Sequence, residues 1–218
     1  MADRWLTFDC YGTLVDWRHG ITVTGELLFP GHGEAFLEAY NAFETEVEHE
    51  APFRRYREVL AEATRRAANR LGVKLDPDNA YALASTIPYW PVFPDTGPAL
   101  TTLLSDGWKL AILTNCDRDL IAETQRRLPV PFDAVFTAEA VGAYKPNPAH
   151  FRTFQARFGA SASDWIHVAQ SYYHDIEPTH ALGIKRIWVN RLSEQRDESL
   201  ADAIIGSLAD LPKTVLTI

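Results

Sequence analysis

The second half of the chain alternates short apolar runs with segments of helical character. Four such runs lie at 108–113, 134–136, 165–169 and 185–190. Apolar runs of this length are typical of strands that are buried on both faces, and repeated strand–helix units form a parallel sheet. A fifth run, 5–8, stands almost at the N-terminus. We therefore predict an α/β fold: a Rossmann-like parallel sheet core with helices on both faces.

The segment between the first strand and the alternating part is expected to be helical throughout. Apolar residues recur three or four positions apart over Phe36–Val47 and again over Phe53–Leu71, as in amphipathic helices. A third helix is expected to open at Asp76–Asp78 and to stop near Pro88. Successive helices without an intervening strand indicate an insertion rather than a part of the sheet.

A proline-rich aromatic stretch, Tyr89–Pro94, separates this helical segment from the alternating part and is typical of a domain joint. We predict a small α-helical cap domain, 17–92, that is inserted after the first strand and lies over the carboxyl edge of the sheet. Residues 1–16 and 93–218 then form the core domain. Near the C-terminus we expect a short helix around Ser199–Leu208 and a final apolar strand or tail.

The composition argues against several classes of function. The 218 residues are 46% hydrophobic and 23% charged, as in ordinary globular proteins. A net charge of −8 argues against nucleic acid as the main partner, because phosphate binding needs a basic surface. No apolar run is long enough to span a membrane, and the N-terminus lacks the pattern of a signal peptide. We predict a cytoplasmic protein with no nucleic-acid or membrane partner.

Polar residues stand at the ends of the predicted strands, beginning with Asp9 after the first one. Gly12 permits the turn that follows, and Thr13 brings a hydroxyl group beside the acid. In an open α/β sheet, ligands bind outside the carboxyl ends of the strands. Asp9 is therefore a candidate functional residue, although an aspartate in this position can also serve only to cap the next segment.

Further polar side chains follow the later strands, namely Thr114, Asn115, Lys145, Gln170, Ser171 and Asp175. Each alone has a structural explanation, as a helix cap or a surface lysine. Together they point to one edge of one sheet. Two acids and a lone lysine fit nucleophilic catalysis by a carboxylate, in which Lys145 keeps Asp9 and Asp175 ionised and the second acid steers a water molecule.

Four segments in this order resemble the signature motifs of the haloacid dehalogenase superfamily; they are 8–14, 113–115, 144–148 and the stretch that ends at Asp175. Most members are phosphatases, which usually carry an acid two residues after the nucleophile and another at the start of the fourth motif to bind magnesium. This chain has Tyr11 and Gln170 there, and a hard cation prefers several charged oxygen ligands. The chain is instead similar to the L-2-haloacid dehalogenases, which need no metal or other cofactor.

That resemblance implies hydrolysis of a small anionic substrate, a 2-halo acid such as a haloacetate or an L-2-haloalkanoate. Asp9 would displace the halide from the α-carbon with inversion and form an aspartyl ester. A water molecule activated by Asp175 would hydrolyse the ester and release the 2-hydroxy acid, while Lys145 balances the charge. Thr13 would supply a hydrogen-bond donor beside the nucleophile.

The same resemblance implies a set of substrate contacts: Tyr11, Trp17, Asn41, Thr114, Asn115, Gln170 and Tyr172. Three of these depart from the dehalogenases, in which Asn41 would be the arginine that receives the halide, and Gln170 and Tyr172 would be serine and asparagine. A neutral amide cannot replace a guanidinium as an anion partner. Either another cation, such as Arg18, reaches the pocket, or the leaving group is not an ordinary halide.

Three other functions remain open at this point. The first is a hydrolase that opens another carbon–heteroatom bond by the same ester chemistry, and the second is a phosphatase with an atypical metal site. The third is a binding or structural protein without catalysis, which has no need of Asp9, Lys145 and Asp175 together. The resemblance also suggests a homodimer.

Overall fold

The computed structural model describes residues 3–161 and 165–218. Within this part of the chain, six parallel strands form one sheet with the order β3-β2-β1-β4-β5-β6. The strands are β1 (Trp5–Phe8), β2 (Lys109–Thr114), β3 (Ala134–Thr137), β4 (Trp165–Ala169), β5 (Lys185–Val189) and β6 (Ala203–Ile205). The predicted α/β fold with a Rossmann-like parallel sheet is confirmed.

The first strand lies in the middle of the sheet and is buried along its whole length. It pairs in parallel with β2 on one side, with Phe8 opposite Ile112, and with β4 on the other, with Phe8 opposite Val168. Parallel strands that pair in this register end at the same edge of the sheet. The polar residues that follow them are therefore brought together, although more than a hundred residues separate them in sequence.

Ten α-helices complete the described part of the chain. Those between β1 and β2 are α1 (Trp17–Leu28), α2 (Gly33–His49), α3 (Tyr56–Leu71), α4 (Ala82–Thr86) and α5 (Thr96–Ser105). The later ones are α6 (Arg118–Gln125), α7 (Ala138–Val141), α8 (Ala149–Phe158), α9 (Glu177–Ala181) and α10 (Leu211–Thr214). None of the described helices is both long enough and apolar enough to cross a membrane.

The helical segment leaves the sheet and returns to it through two neighbouring stretches of backbone. The Asp16 N–H donates to the Pro91 carbonyl at 2.8 Å, and the Phe93 N–H donates to the Leu14 carbonyl at 2.9 Å. Helices α1 to α4 lie between these crossings. The division into a cap domain, 17–92, and a core domain stays a prediction.

Helix α1 packs closely against its neighbours because glycines occupy two of its contact positions. A Cβ atom on Gly20 would lie 2.3 Å from the Trp90 ring, and one on Gly25 would lie 2.5 Å from the Phe36 ring. The missing side chains let two aromatic rings approach the helix backbone. A pattern search that looks for apolar side chains cannot detect such a contact.

Two of the local predictions were wrong. The expected helix around Ser199–Leu208 contains strand β6, in which Ala203 pairs with Ile187 of β5. The expected helix from Asp76 to Pro88 is broken into two single turns and the short helix α4. Pairing with β5 at the edge of the sheet decides the first case, because such pairing outweighs the helical preference of a short segment.

Asp117 connects the helical segment to the sheet side of the molecule. Its buried carboxylate accepts the backbone N–H groups of Tyr56 at 2.8 Å and Arg57 at 3.0 Å, which are the free donors at the start of α3. The Arg57 guanidinium contacts it as well, at 3.3 Å. Nearby Asp119 meets Arg57 and Arg55 at the surface.

We expect Asp117→Ala to lower the free energy of unfolding by about 2–4 kcal/mol, because it leaves two buried backbone donors without an acceptor. Urea denaturation followed by circular dichroism measures the change. Asp119→Ala is the matched control, since its side chain is 57% exposed, and it should cost about 1 kcal/mol or less. Equal losses in the two variants would contradict the role of Asp117.

Candidate active site

A cavity of about 320 Å³ lies at the carboxyl edge of the sheet, under helices α1, α2 and α3. Its lining includes every site residue predicted from the sequence except Thr13: Asp9, Tyr11, Trp17, Asn41, Thr114, Asn115, Lys145, Gln170, Tyr172 and Asp175. These residues come from β-strand ends on one side and from the helical segment on the other. The fold therefore brings the predicted catalytic and substrate-binding positions to one place.

Asp9 follows β1 directly, and both of its carboxylate oxygens are held. The Thr13 hydroxyl donates to Oδ2 at 2.9 Å, and the Lys145 ammonium donates to Oδ1 at 3.0 Å. The turn between Asp9 and Thr13 depends on Gly12, which has a φ of 103°. A Cβ atom there would also lie 2.8 Å from the Gln170 side chain. Thr13 thus contacts the nucleophile candidate although it does not line the cavity.

Lys145 is almost completely buried, with 1% of its side chain exposed. Its Nζ donates to Asp9, to Asp175 at 2.7 Å and to the Leu113 carbonyl at 2.9 Å. All three ammonium hydrogens therefore have acceptors. The Asn115 amide fixes the backbone of Lys145 in turn, because Oδ1 accepts its N–H at 2.7 Å and Nδ2 donates to its carbonyl at 3.0 Å.

Asp175 lies in the helical turn Tyr172–Ile176 and is fully buried. Its Oδ1 accepts from Lys145 and from His167 Nε2 at 2.9 Å, whereas Oδ2 has no hydrogen-bond partner. His167 Nδ1 contacts the Thr7 hydroxyl at 2.8 Å, and Thr7 also accepts the Trp165 N–H. A chain of hydrogen bonds between side chains of β1 and β4 thus ends at this carboxylate and fixes its position.

The charged groups in this cluster shift one another's pKa values. Burial raises the pKa of Asp9, and the Lys145 ammonium opposes that rise. Burial also acts to raise the pKa of Asp175, but Lys145 and His167 outweigh it and lower the value to about 2. Burial would lower the pKa of Lys145, yet the two carboxylates raise it. Asp175 and Lys145 are therefore ionised at neutral pH.

Aromatic side chains form one wall of the cavity. The Tyr11 ring packs edge-on against Trp90 at a centroid distance of 5.8 Å, and its hydroxyl contacts Thr124 at 2.8 Å. Trp17 lies at the start of α1 and lines the same wall. The Tyr172 hydroxyl donates to the Asp197 carbonyl at 2.8 Å. These hydroxyl groups are engaged by the protein, so the rings act mainly as apolar surface.

Gln170 and Thr114 are two polar residues of the cavity lining. The Gln170 side chain donates to Glu194 at 3.1 Å, and its backbone N–H donates to the Thr13 hydroxyl at 2.9 Å. The Thr114 hydroxyl is buried and has no partner, which leaves it available at the cavity. Among the described residues, no group of three or more His, Cys, Asp or Glu side chains has the arrangement of a metal site.

The sequence analysis did not identify several residues that line the cavity or support it. Asn41 is joined on the same face of α2 by Glu44 and Glu48, and His174 and Arg196 also line the cavity. Arg18, the alternative cation, also lines the cavity. The spacing of Asn41, Glu44 and Glu48 by three and four was the available signal. His167 was detectable only as a single histidine in an apolar strand.

Comparison with known proteins gives a consistent set of similarities. The sequence profile of the haloacid dehalogenase-like hydrolases matches residues 4–183. Haloacetate dehalogenase H-2 of Moraxella sp. (strain B) is 27% identical over 201 residues, which cover 88% of each chain. The (S)-2-haloacid dehalogenase of Xanthobacter autotrophicus is 25% identical over 241 residues, covering 96% of this chain and 94% of that one.

Solved structures show the same relationship in the fold. A crystal structure of an L-2-haloacid dehalogenase superposes with a TM-score of 0.90 at 25% identity. The superposition covers 99% of this chain and 100% of that one. The helical segment and the sheet are therefore both included in the similarity.

We expect Lys145→Met to lower the free energy of unfolding by about 3–5 kcal/mol at pH 7.5, because it leaves two buried carboxylates facing each other. One of them then binds a proton more tightly in the folded protein than in the unfolded chain. A carboxyl group whose folded pKa is raised loses its stabilising contribution as the pH rises through that pKa. The loss should therefore be smaller at pH 5 than at pH 7.5.

Urea denaturation of both proteins at the two pH values measures this difference. Lys74→Met is the matched control, since Lys74 is exposed on the surface, and it should change stability by less than about 0.5 kcal/mol at either pH. A loss in Lys145→Met that is the same at both pH values would show that the two carboxylates do not share a proton.

Proposed function

The chain belongs to the haloacid dehalogenase-like hydrolases, and from this premise we propose that it hydrolyses a small 2-halo acid without a metal or other cofactor. The observation that carries the proposal is the cluster of Asp9, Lys145 and Asp175 at the base of the cavity. Its curated relatives include a haloacetate dehalogenase and an (S)-2-haloacid dehalogenase. Their substrates suggest a haloacetate or an L-2-haloalkanoate here.

In the first step, a carboxylate oxygen of Asp9 attacks the α-carbon of the substrate from the side opposite the halogen. A carbon–oxygen bond forms, the carbon–halogen bond breaks, and the halide leaves with the electron pair and inversion at carbon. Lys145 and Thr13 hold the carboxylate in one orientation, which reduces the entropy cost of reaching the attack geometry. The product of this step is an aspartyl ester on the enzyme.

In the second step, a water molecule attacks the carboxyl carbon of the ester, and Asp175 orients it. The unpartnered Oδ2 of Asp175 provides a buried acceptor for one water hydrogen. Asp175 takes one proton of this water and passes it to the departing alkoxide as the tetrahedral intermediate collapses. The second proton of the water goes to solvent, the 2-hydroxy acid is released and the Asp9 carboxylate is restored. Lys145 stays charged throughout and balances the negative charge that moves between the two acids.

Substrate recognition in this proposal uses both walls of the cavity. The Thr114 hydroxyl and Asn115 lie at the strand ends, where they can meet the substrate carboxylate, and Arg18 supplies a positive charge from α1. Tyr11 and Trp17 exclude water from the reacting atoms. A volume of about 320 Å³ suits a substrate of a few heavy atoms.

The absence of two acids makes a phosphatase the weaker proposal. Tyr11 stands where a phosphatase carries its general acid, and its hydroxyl contacts Thr124. Gln170 stands where a magnesium ligand is expected, and its amide donates to Glu194. Hydrolysis of another carbon–heteroatom bond would use the same three catalytic residues, so only the choice of substrate separates it from dehalogenation.

We expect the purified protein to release halide from chloroacetate, fluoroacetate or L-2-chloropropionate in the presence of EDTA. Asp9→Asn should lower kcat by about 10⁴-fold or more, because it removes the nucleophile. Asp106→Asn, an exposed acid on the surface, is the control and should retain full activity. Phosphate-ester hydrolysis that depends on added magnesium, without halide release, would overturn the proposal in favour of a phosphatase.

The ester intermediate has a separate test. In a single turnover in H₂¹⁸O with enzyme in excess, the product hydroxyl should carry ordinary oxygen from Asp9, and the label should enter the Asp9 carboxylate. Mass spectrometry of the product and of the Asp9 peptide measures both. Label in the product of the first turnover would indicate direct attack by water and no ester.

We also propose that the protein is a homodimer and that it is cytoplasmic. Light scattering of the purified protein measures the oligomeric state.

A further inference from the structure

The cavity carries a second acid–base pair that the dehalogenase mechanism does not use. Glu48 Oε2 lies 3.7 Å from His174 Nε2, and neither atom has a hydrogen-bond partner. Only 3% of the Glu48 side chain is exposed. Buried polar atoms without partners are uncommon in folded proteins. Both residues line the same cavity as Asp9.

The contacts of His174 with Ser171 are compatible with a ring hydrogen on Nε2. The Ser171 hydroxyl oxygen accepts the backbone N–H of His174 at 3.2 Å and lies 3.0 Å from the ring Nδ1. The hydroxyl group can donate its own hydrogen to Nδ1. In that arrangement the ring hydrogen is on Nε2, which faces Glu48. Burial lowers the pKa of His174, so the ring is neutral.

The surroundings of Glu48 favour its protonated form. Burial and the neighbouring Glu44 raise its pKa well above the usual range, against the opposing effects of Lys145 and Asn115. The titratable and charged groups that face it from the elements packed around it are Tyr40, Glu44, Tyr56, Tyr144, Lys145 and His174. A protonated carboxyl group donates a hydrogen bond. Glu48 and His174 therefore present two neutral donors to one gap.

We propose that Glu48 and His174 form the leaving-group site, a pair of neutral hydrogen-bond donors that favours fluoride over heavier halides. The inference rests on the proposed dehalogenase function. An acceptor atom can lie within hydrogen-bond distance of two donors that are 3.7 Å apart. Fluoride is the halide that accepts hydrogen bonds most strongly, and a carbon–fluorine bond gains the most from such assistance.

The position on α2 supports this assignment. Asn41, Glu44 and Glu48 lie on one helix face and all line the cavity. The resemblance to the L-2-haloacid dehalogenases places a halide-binding cation at Asn41, and no cation stands on this face. Oε1 of Glu44 accepts the hydroxyl groups of both Tyr40 and Tyr56. Glu48 differs from it in having a buried oxygen, Oε2, without a hydrogen-bond partner.

In the displacement step, Asp9 forms its bond to the α-carbon while the carbon–fluorine bond breaks. The departing fluoride takes the bonding pair and accepts hydrogen bonds from Glu48 and His174. Fluoride can leave as the anion, in which case both hydrogens stay on their donors. It can also leave as HF with the Glu48 proton, and solvent then protonates Glu48 again. As the pH rises, Glu48 ionises, its donor is lost and the negative charge repels the leaving group.

The test compares Glu48→Gln and Glu48→Leu with the wild-type protein on fluoroacetate and bromoacetate from pH 6 to 10. Glu48→Leu should lower kcat for fluoroacetate by about 100-fold, and that for bromoacetate by about 10-fold or less, because a donor is worth more to the better acceptor. Glu48→Gln keeps a donor that cannot ionise. It should therefore lose less activity than the leucine variant and should lack the alkaline decline of the wild type.

Three controls make the outcome specific. Glu38→Gln and Glu38→Leu change an exposed acid on the same helix and should match the wild type. Arg18→Leu should raise KM for both substrates without changing the ratio of their kcat values. If Arg18→Leu changes that ratio and Glu48→Leu does not, Arg18 is the leaving-group partner and the proposal is wrong.

Direct binding of sodium fluoride and sodium bromide separates this inference from the proposed function. Trp17 and Trp90 line the cavity, so tryptophan fluorescence can report a bound halide at pH 6. We expect fluoride to bind more tightly than bromide and Glu48→Leu to weaken it about tenfold or more. A protein that releases no halide but binds fluoride through Glu48 would refute the proposed reaction alone. Equal binding by the wild type and Glu48→Leu would refute the leaving-group site.

Discussion

The ammonium group of Lys145 lies between the buried carboxylates of Asp9 and Asp175, and the rest of the active site depends on this cluster of three charges. Removing any one charge would leave the others buried without balance, which is strongly destabilising. The third ammonium hydrogen is used by the Leu113 carbonyl, so the lysine has one orientation. Because Asp9 follows β1 and Leu113 belongs to β2, the cluster also ties the site to the centre of the sheet.

The helical segment closes this cluster off from solvent and is held in place by polar contacts as well as by packing. Asp117 binds the start of α3, and the backbone crossings at Asp16 and Phe93 fix where the segment leaves and rejoins the sheet. These contacts position α2 over the cavity. The residues proposed to be catalytic lie at or after the strand ends, whereas the proposed substrate contacts come both from there and from the helical segment.

The floor of the cavity resembles that of the dehalogenases, whereas the wall formed by α2 differs from it. At the floor of the cavity, Asp9 and Lys145 make the contacts on which the proposed ester chemistry depends. On the α2 face, Asn41 stands where the resemblance leads us to expect an anion-binding cation, and Glu44 and Glu48 lie on the same face. Buried acids are compatible with an anionic substrate only when they are neutral or already paired. Glu44 receives two tyrosine hydroxyls, and burial raises the pKa of Glu48.

Five of the six strands, the helical segment after β1 and the acids and lysine at the strand ends could be predicted from the sequence, because these depend on local apolar patterns and on the shared edge of parallel strands. Other features depend on tertiary contacts. β6 forms through pairing with β5, α1 packs through glycines against the rings of Trp90 and Phe36, and Glu48 meets His174 across more than a hundred residues. Such contacts depend on the rotation of one helix against a distant turn, and a short period in the sequence does not specify that rotation.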